Sequence, residues 1–290
     1  MYQDSHFYGE KRLSKRSRAV LFLIFTAILW SLGGMLIKLV DWNPIAIAGA
    51  RSAIASLLIF TYIRHPKISW NSVQIWGAIL YAGTVISFVT ANKLTTAANA
   101  ILLQYGAPVY VAILSVPILG EKTTRVDWVT IFIVLLGMGI FFLDKLKPGN
   151  LLGNIIAILS GITFALFIIF MRKQKDGSPI DSVLLGNILT ALIGLPFMFK
   201  SMPSKLSWIG LILLGTVQLG LSYIFYSIAI KEVTALESIL IPIIEPVLNP
   251  IWVFLAIGET PGRYALIGGT IILASVTLRY TIPLVRRNQR

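Results

Sequence analysis

Residues 97–122 read AANAILLQYGAPVYVAILSVPILGEK, and residues 235–260 read ALESILIPIIEPVLNPIWVFLAIGET. At a fixed offset of 138 residues, Ala97 falls on Ala235, Pro108 on Pro246, Gly120 on Gly258 and Glu121 on Glu259. Matches in register at helix-breaking and charged positions indicate an internal duplication, a common feature of membrane transporters. The sequence therefore predicts two related halves, each carrying one copy of this segment.

The sequence around both copies is strongly apolar. Of the 290 residues, 56% are hydrophobic and 13% are charged, whereas globular chains carry about 25% charged residues. A bilayer core about 30 Å thick needs roughly 20 apolar residues of helix, and the chain supplies such runs repeatedly. We predict an all-α polytopic membrane protein with ten transmembrane helices: Ala19 to Val40, Pro44 to Ile63, Ser72 to Asn92, Thr95 to Val116, Arg125 to Leu143, Leu151 to Met171, Asp181 to Phe199, Leu206 to Ile230, Thr234 to Ile257 and Gly262 to Tyr280.

The ten predicted spans divide into two sets of five. Residues 19–143 form the first five-helix repeat and residues 151–280 the second, with basic cytoplasmic tails at residues 1–18 and 281–290. Because five is odd, the second repeat enters the membrane in the opposite sense to the first. Inverted repeats of this kind place a binding site near the bilayer midplane, so we predict a central cavity between the two halves.

Lysine and arginine are unevenly distributed among the loops. With the N-terminus inside, seventeen of them lie on the cytoplasmic side and six on the outer side. Cytoplasmic loops retain positive charge, so we expect a multi-pass protein of the cell membrane, either inner or plasma membrane, with both termini in the cytoplasm. The net charge of +13 follows from this topology. We therefore expect the lipid bilayer as a partner and no binding to nucleic acid. Binding of the basic tail, Lys11 to Arg18, to nucleic acid or another anionic partner is the alternative.

Several kinds of chemistry are excluded by what the sequence lacks. Cysteine is absent, and the two histidines, His6 and His65, lie outside the predicted spans. This removes thiol chemistry, disulfides and an intramembrane metal site built on histidine. The chain also has no phosphate-binding Gly-Lys-Ser/Thr loop. We therefore predict no cofactor, no metal and no enzymatic activity, and any transport should be secondary rather than ATP-driven.

Both copies of the repeat resemble the EamA-type permeases of the drug/metabolite transporter superfamily. The similarity lies in LTTAANAILLQYGAPVYVAIL (94–114) with the Gly-Glu pair that follows, in EPVLNPIWVFLAIGE (245–259), and in Trp30, Lys38 and Arg51 of the first two spans. Membership would imply ten spans in two five-helix halves, and export or uptake of amino acids, nucleotides or other small metabolites. We thus predict a secondary transporter, in the first instance an exporter, of small polar metabolites such as amino acids. It would work by alternating access between its inverted repeats, with proton coupling left open.

Two other functions are alternatives to transport of a small metabolite. One is an intramembrane enzyme, which would need paired acids, a Ser/Lys dyad or His and Asp ligands within the spans. The other is a lipid-handling protein such as a flippase, which would need a groove open to lipid. The sequence offers a single deep acid and no histidine within a span, which favours the transporter.

Six residues of the repeat have architectural explanations. Gly120 and Gly258 end spans four and nine, where glycine readily takes the left-handed conformation of a helix cap. Glu121 and Glu259 precede the next span, and a carboxylate is stabilised at the N-terminal end of a helix. A role of these acids in gating is the alternative. Pro108 and Pro246 interrupt their helices at mid-span, either as kinks that only pack or as kinks that shape the site.

Polar and aromatic side chains cluster near the centres of the predicted spans, except in spans five and ten. We predict that they surround a cavity for a small-molecule substrate. The candidates are Trp30, Arg51, Tyr81, Gln104, Tyr105, Ser160, Asn187, Gln218, Tyr223 and Glu245. Interhelical hydrogen bonding, worth roughly 0.6 kcal/mol in membrane proteins, explains any single Gln, Ser or Tyr among them equally well. Spans five and ten, centred on Val134 and Ile271, should be peripheral helices that pack or form a homodimer.

Two candidates carry a charge, which is costly in a bilayer. An ionised side chain at the bilayer centre costs about 2.5–3.5 kcal/mol on the most lenient scale. Glu245 lies about eleven residues into its span and must be protonated, paired or facing water. One hypothesis is that Arg51 receives a substrate carboxylate while Glu245 receives an amine or carries a coupling proton. The alternative is a static Arg51–Glu245 ion pair, or a Glu245 that belongs only to the Glu-Pro kink.

Overall fold

The computed structural model describes residues 14–146, 150–257, 260 and 262–288. Within these ranges the chain is helical and contains no β-strand. The predicted cap residues Gly258 and Glu259 lie outside the described residues, as do residues 1–13 of the predicted N-terminal tail and the last two residues of the C-terminal one.

We number the helical segments α1 to α10 along the chain. Within the described residues, seven are long and apolar enough to cross a membrane: α1 (Lys15–Leu39), α2 (Pro44–Ile63), α3 (Ser72–Leu94), α4 (Ala97–Leu119), α6 (Leu151–Lys173), α7 (Pro179–Met198) and α8 (Lys205–Ala229). The other segments are α5 (Arg125–Phe141), α9, made of the pieces Ala235–Leu240, Pro242–Ile244 and Glu245–Ile257, and α10 (Arg263–Asn288). The protein is therefore a multi-pass membrane protein.

Most of these helices begin at a polar residue whose side chain accepts a backbone N–H of the first turn. This contact satisfies a donor that has no partner within the helix. The capping residues are Ser14, Asn43, Asn71, Thr96, Thr124, Asn150, Ser204 and Thr234. Thr96 and Thr234 stand at the same place in the two copies of the repeat, so the duplication includes the start of the helix.

Two helix ends differ from the prediction. The cap at Ser14 starts α1 four residues before the predicted Ala19, within the basic stretch. At the other end, α10 continues to Asn288, so residues 281–288, predicted as part of a tail, are helical. The prediction ended each span with its apolar run, but Arg and Leu are good helix formers and extend a helix beyond the hydrocarbon.

Four of the helices are irregular near their middle. α1 is interrupted at Ser31 and Leu32, and α4 at Tyr105 and Gly106. α8 has a π-helical stretch, Leu214–Leu221, and α9 is broken between residues 240 and 245. Such backbone is tolerated at membrane depth where it is buried in protein or lines a cavity.

Both repeat prolines lie just after these breaks. Pro108 is the second residue of the piece Ala107–Leu119, and Pro246 is the second residue of the piece Glu245–Ile257. Proline suits the first turn of a helix because its missing N–H would have no partner there. Each proline therefore opens the second piece of an interrupted helix, and its role in shaping the site stays a prediction.

Corresponding helices of the two halves pack closely against each other. Between α2 and α7, a Cβ placed on Gly49 would lie 2.7 Å from the Cα of Gly194. Between α5 and α10, a Cβ on Gly137 would lie 3.2 Å from the carbonyl oxygen of Gly268. Small residues allow such close approach of helices in membranes. Spans five and ten thus pack on each other, while homodimerisation through them stays a prediction.

Candidate functional site

A small cavity lies where the irregular parts of the helices meet. It has a volume of about 50 Å³ and is lined by residues from α1, α2, α3, α4, α6, α8 and α9: Trp30, Arg51, Thr84, Val85, Phe88, Gln104, Tyr105, Ala107, Phe164, Gln218, Leu219, Tyr223, Ile239 and Glu245. Both halves of the chain contribute to the lining. Ligand pockets usually measure about 300–1,000 Å³, so in this conformation the cavity is too small for a whole metabolite.

Glu245 lies at the break of α9 and is the first residue of the helical piece that follows. Its Oε2 accepts a hydrogen bond of 2.7 Å from the Tyr105 hydroxyl, which comes from the break of α4. The two broken helices, one from each half, therefore meet through this hydrogen bond. A carboxylate here also benefits from the N-terminal end of the second α9 piece, where helix dipoles favour negative charge.

Arg51 occupies another part of the cavity wall and is 1% exposed. Its Nη1 donates to the Oε1 of Gln218, 3.1 Å away. Gln218 stands in the π-helical stretch of α8, an irregularity that is frequent at functional sites. Among the residues that the structure describes, Arg51 forms no ion pair, so the static Arg51–Glu245 pair considered from the sequence is wrong for this conformation.

Aromatic rings form the side of the cavity next to α8. The Trp30 ring centroid lies 5.3 Å from that of Tyr223 and 5.8 Å from that of Phe164. The Trp30 indole N–H donates to the Ser222 hydroxyl at 2.9 Å, which fixes the ring. Rings held in this way give the cavity a rigid apolar surface beside its two charged groups.

Three of the ten candidates lie behind the cavity wall rather than on it. The Tyr81 hydroxyl donates to the Oδ1 of Asn187 at 3.1 Å, and Ser160 accepts from the Nε2 of Gln104 at 2.8 Å. Tyr81, Ser160 and Asn187 are all fully buried. They are absent from the cavity lining of this conformation, because depth along a span can be counted from the sequence but the direction a side chain faces cannot.

The other seven candidates, Trp30, Arg51, Gln104, Tyr105, Gln218, Tyr223 and Glu245, line the cavity. The prediction missed the remaining lining residues, which are mostly apolar: Thr84, Val85, Phe88, Ala107, Phe164, Leu219 and Ile239. Residues of these types fill most of the ten spans, so the sequence carries no signal that separates them. Of these residues, only Ala107 could have been found from the sequence, since it occupies the position of Glu245 in the other copy of the repeat.

The repeat residues at the end of α4 lie outside the cavity. Gly120 has φ +71°, the left-handed conformation required of the predicted cap. Glu121 was expected to stabilise the start of the next helix, but that helix is capped by Thr124. Instead, Glu121 accepts from the Ala235 N–H at 2.8 Å, at the start of α9, and pairs with the Nε of Arg172 at 2.7 Å. It therefore connects the two halves.

Two further charged residues have structural partners. Glu237 forms a capping box with Thr234 at the start of α9, and an ion pair with Arg16 of α1. Lys38 at the end of α1 donates to the carbonyl oxygen of Thr95, 3.2 Å away. These contacts explain both charges without a substrate.

The sequence and the fold were compared with those of known proteins. The EamA-like transporter family matches the chain twice, over residues 17–143 and 151–281, which confirms the resemblance seen in the repeat. An uncharacterized transporter of Archaeoglobus fulgidus is 28% identical over 262 residues, covering 89% of this chain and 94% of that protein. The uncharacterized transporter YyaM of Bacillus subtilis is 25% identical over 279 residues, covering 88% and 90%.

A solved crystal structure has a similar fold. Its TM-score is 0.79, and the alignment covers 91% of this chain and 97% of the other at 18% sequence identity. At that identity the likeness concerns the fold alone. It shows that the arrangement of helices described above exists in another protein of nearly the same extent.

Proposed function

Because the chain belongs to the EamA-like transporter family, we propose that it is a secondary transporter that exports small polar metabolites such as amino acids. The observation that carries this proposal is the cavity between the halves, with Arg51 and Glu245 in its wall. Opposite charges set apart in one cavity suit a zwitterion, which offers a carboxylate and an amine. The transporter-named relatives favour this function over an intramembrane enzyme or a flippase.

The proposed mechanism is alternating access. A cavity of about 50 Å³ cannot hold a metabolite, so the halves have to move apart on one side of the membrane to admit it. The irregular backbone of α1, α4, α8 and α9 around the cavity provides places where such movement can bend the helices.

The proposed topology has ten spans. In it α5, α9 and α10 also cross the bilayer, and both termini lie in the cytoplasm of a cell-membrane protein. Lys/Arg distribution supports the orientation, and the double match to the family supports the two halves. A homodimer through the outer faces of α5 and α10 is proposed as well, since Phe132, Leu136 and Leu266 are exposed there.

Glu245 is proposed to carry the coupling proton. Its only hydrogen bond among the described residues comes from the neutral Tyr105, and it has no cationic partner there. A carboxyl group without a fixed counter-charge can lose and regain a proton as the cavity opens to either side. This role requires that Glu245 face the substrate path, as its position in the cavity wall supports.

The experiment is solute transport by the purified full-length chain in proteoliposomes. Labelled amino acids and other small metabolites are tested with and without a pH gradient, using the parent protein, Glu245→Gln and a control, Glu232→Gln. Glu232 is exposed on the loop before α9. We expect Glu245→Gln to abolish pH-driven accumulation and to retain exchange, while the control behaves like the parent.

Other outcomes would be equally informative. Equal accumulation by the parent and Glu245→Gln would show that Glu245 is structural. If no solute of the panel moves in the parent, while the protein is folded and correctly inserted, the proposed substrate class is wrong.

A further inference from the structure

Within the described part of the chain, Arg51 has no carboxylate partner, which a buried guanidinium normally has. Its Nη1 donates to Gln218, but its Nε is buried and has no acceptor among the residues that the structure describes. The ion pairs formed within those residues do not include Arg51. Since arginine keeps its charge in proteins, Arg51 gives the cavity wall a full positive charge. Its hydrogen-bond partner, the side-chain amide of Gln218, is neutral.

The surroundings of Arg51 hold this arrangement in place. A Cβ on Gly33 would lie 2.9 Å from the Nε2 of Gln218, and a Cβ on Gly215 would lie 2.7 Å from the carbonyl oxygen of Arg51. The two glycines therefore let α1 pack closely on Gln218, and α8 pack closely on the backbone of α2 at Arg51. In a membrane protein, a buried charged side chain without an oppositely charged partner lines a substrate path more often than it supports the fold.

We propose that Arg51 binds the carboxylate group of the transported solute, and this inference rests on the proposed transport function. The planar guanidinium binds carboxylates through paired, charge-assisted hydrogen bonds. In Arg51, Nη1 donates to Gln218, whereas Nε has no acceptor among the described residues. The substrate class is thus monocarboxylates, amino acids included. Compounds that lack the carboxylate, such as amides and amines, are excluded from tight binding.

The cavity favours a single carboxylate over a phosphate group. Arg51 is the only Lys or Arg among the residues that line it, and Glu245 lies in the same wall. A dianion would meet one positive charge and one carboxylate, and like charges in a poorly screened site repel. A monoanion is fully balanced by Arg51, which leaves Glu245 free to meet an amine or a proton.

The first test uses sodium acetate, because this small monocarboxylate needs little space. The melting temperature of the detergent-solubilised, full-length protein is measured in acetate, in acetamide and in sodium chloride at matched ionic strength. A ligand that binds only the folded state raises the melting temperature. We expect acetate to raise it by about 2–4 °C at a concentration well above its dissociation constant, and acetamide and chloride to have no such effect.

Three variants connect the effect to Arg51. In Arg51→Gln the acetate shift should disappear, and in the control Lys67→Gln, an exposed cation beyond the same helix, it should remain. Gln218→Glu offers an internal carboxylate to Arg51. This variant should melt at a higher temperature than the parent and lose the acetate shift, and it keeps the test valid if Arg51→Gln fails to fold.

The second test compares each amino acid of the transport panel with its amide in proteoliposomes. We expect the parent to prefer the acid at least tenfold, a preference worth about one charge-assisted hydrogen bond, and Arg51→Gln to lose the preference. Equal handling of acids and amides by the parent, or an acetate shift that chloride reproduces or that Arg51→Gln retains, would overturn the inference. An Arg51-dependent acetate shift without transport of any solute would support the anion site and overturn the transport function instead.

Discussion

Helices α4 and α9 share one construction and differ in chemistry. Each starts at a threonine cap, breaks near its middle and resumes with a proline as its second residue. The residue that opens the second piece is Ala107 in α4 and Glu245 in α9. At the residue two positions earlier, α4 has Tyr105, which donates to Glu245, and α9 has Ile243.

This difference shows how a symmetric fold can hold an asymmetric site. The duplication kept the residues that define the backbone, namely the cap, the break and the proline. It did not keep the residues that face the cavity, so one half supplies the acid and the other half supplies the hydroxyl that binds it. Each half is therefore chemically incomplete without the other.

The largest effect is expected from moving the acid to the other half, in the double variant Glu245→Ala with Ala107→Glu. Position 107 also lies in the cavity wall, but the residue of α9 that corresponds to Tyr105 is Ile243, which has no hydroxyl to donate to the moved acid. We expect pH-driven accumulation to stay at least tenfold below the parent, as in Glu245→Ala alone, when both are measured in proteoliposomes. Restored accumulation would mean that an acid on either side suffices, and that the asymmetry has no function.

A smaller effect is expected from removing the hydroxyl that α4 contributes. In Tyr105→Phe, Glu245 loses the hydrogen bond of 2.7 Å, and hydrogen bonds to charged groups contribute about 1.5–3 kcal/mol. We expect the initial transport rate to fall about tenfold, because Glu245 is no longer held at the junction of the two breaks. Tyr110→Phe, on the same helix and outside the cavity lining, is the control. A rate equal to that of the parent would show that Glu245 acts without α4.

The contact between the end of α4 and the start of α9 should affect stability more than transport. Glu121 binds both Arg172 and the Ala235 N–H, and the paired side chains are 12% and 21% exposed. After allowing for that exposure, we expect Glu121→Gln to lower the free energy of unfolding by about 1 kcal/mol. The melting temperature in detergent should fall by roughly 2–4 °C. Glu232→Gln should leave it unchanged. An unchanged melting temperature in Glu121→Gln would mean that solvent already screens the pair.

The fold was largely predictable because the bilayer imposes simple rules. Apolar runs of about 20 residues mark helices, and the polar residues before them cap those helices. For α2 the predicted and observed limits, Pro44 and Ile63, coincide. The repeat also located the breaks in α4 and α9 through Pro108 and Pro246, although their effect was to start a new helix rather than to bend an old one.

The site was less predictable for a physical reason. In a helix that is apolar all round, the hydrophobic pattern does not distinguish the face toward the cavity from the face toward a neighbouring helix. Tyr81 and Asn187 have the expected depth but do not face the cavity, while Phe88 and Phe164 line the cavity and resemble any other partly buried apolar residue. The partner of Glu121 was missed because it lies in the other half, 51 residues away.

The smallest effect is expected from removing the hydrogen bond between Gln104 and Ser160. These polar side chains lie beside the break of α4, one in the cavity wall and one behind it. Gln104 lines the cavity, whereas Ser160 lies behind it and accepts from the Gln104 amide at 2.8 Å. Ser160→Ala removes this bond and the longer one, 3.3 Å, that the Ser160 hydroxyl donates to the Thr84 carbonyl oxygen. Such bonds are worth roughly 0.6 kcal/mol each in a membrane protein, so the melting temperature should fall by about 2–3 °C and the transport rate should stay within about twofold of the parent. At the equivalent position α9 has Pro242, which has no side-chain donor, so the bond belongs to one half only. If Ser160→Ala instead abolished transport with an unchanged melting temperature, the Gln104 amide would have to be held for the substrate, and α4 would contribute as much recognition chemistry as α9.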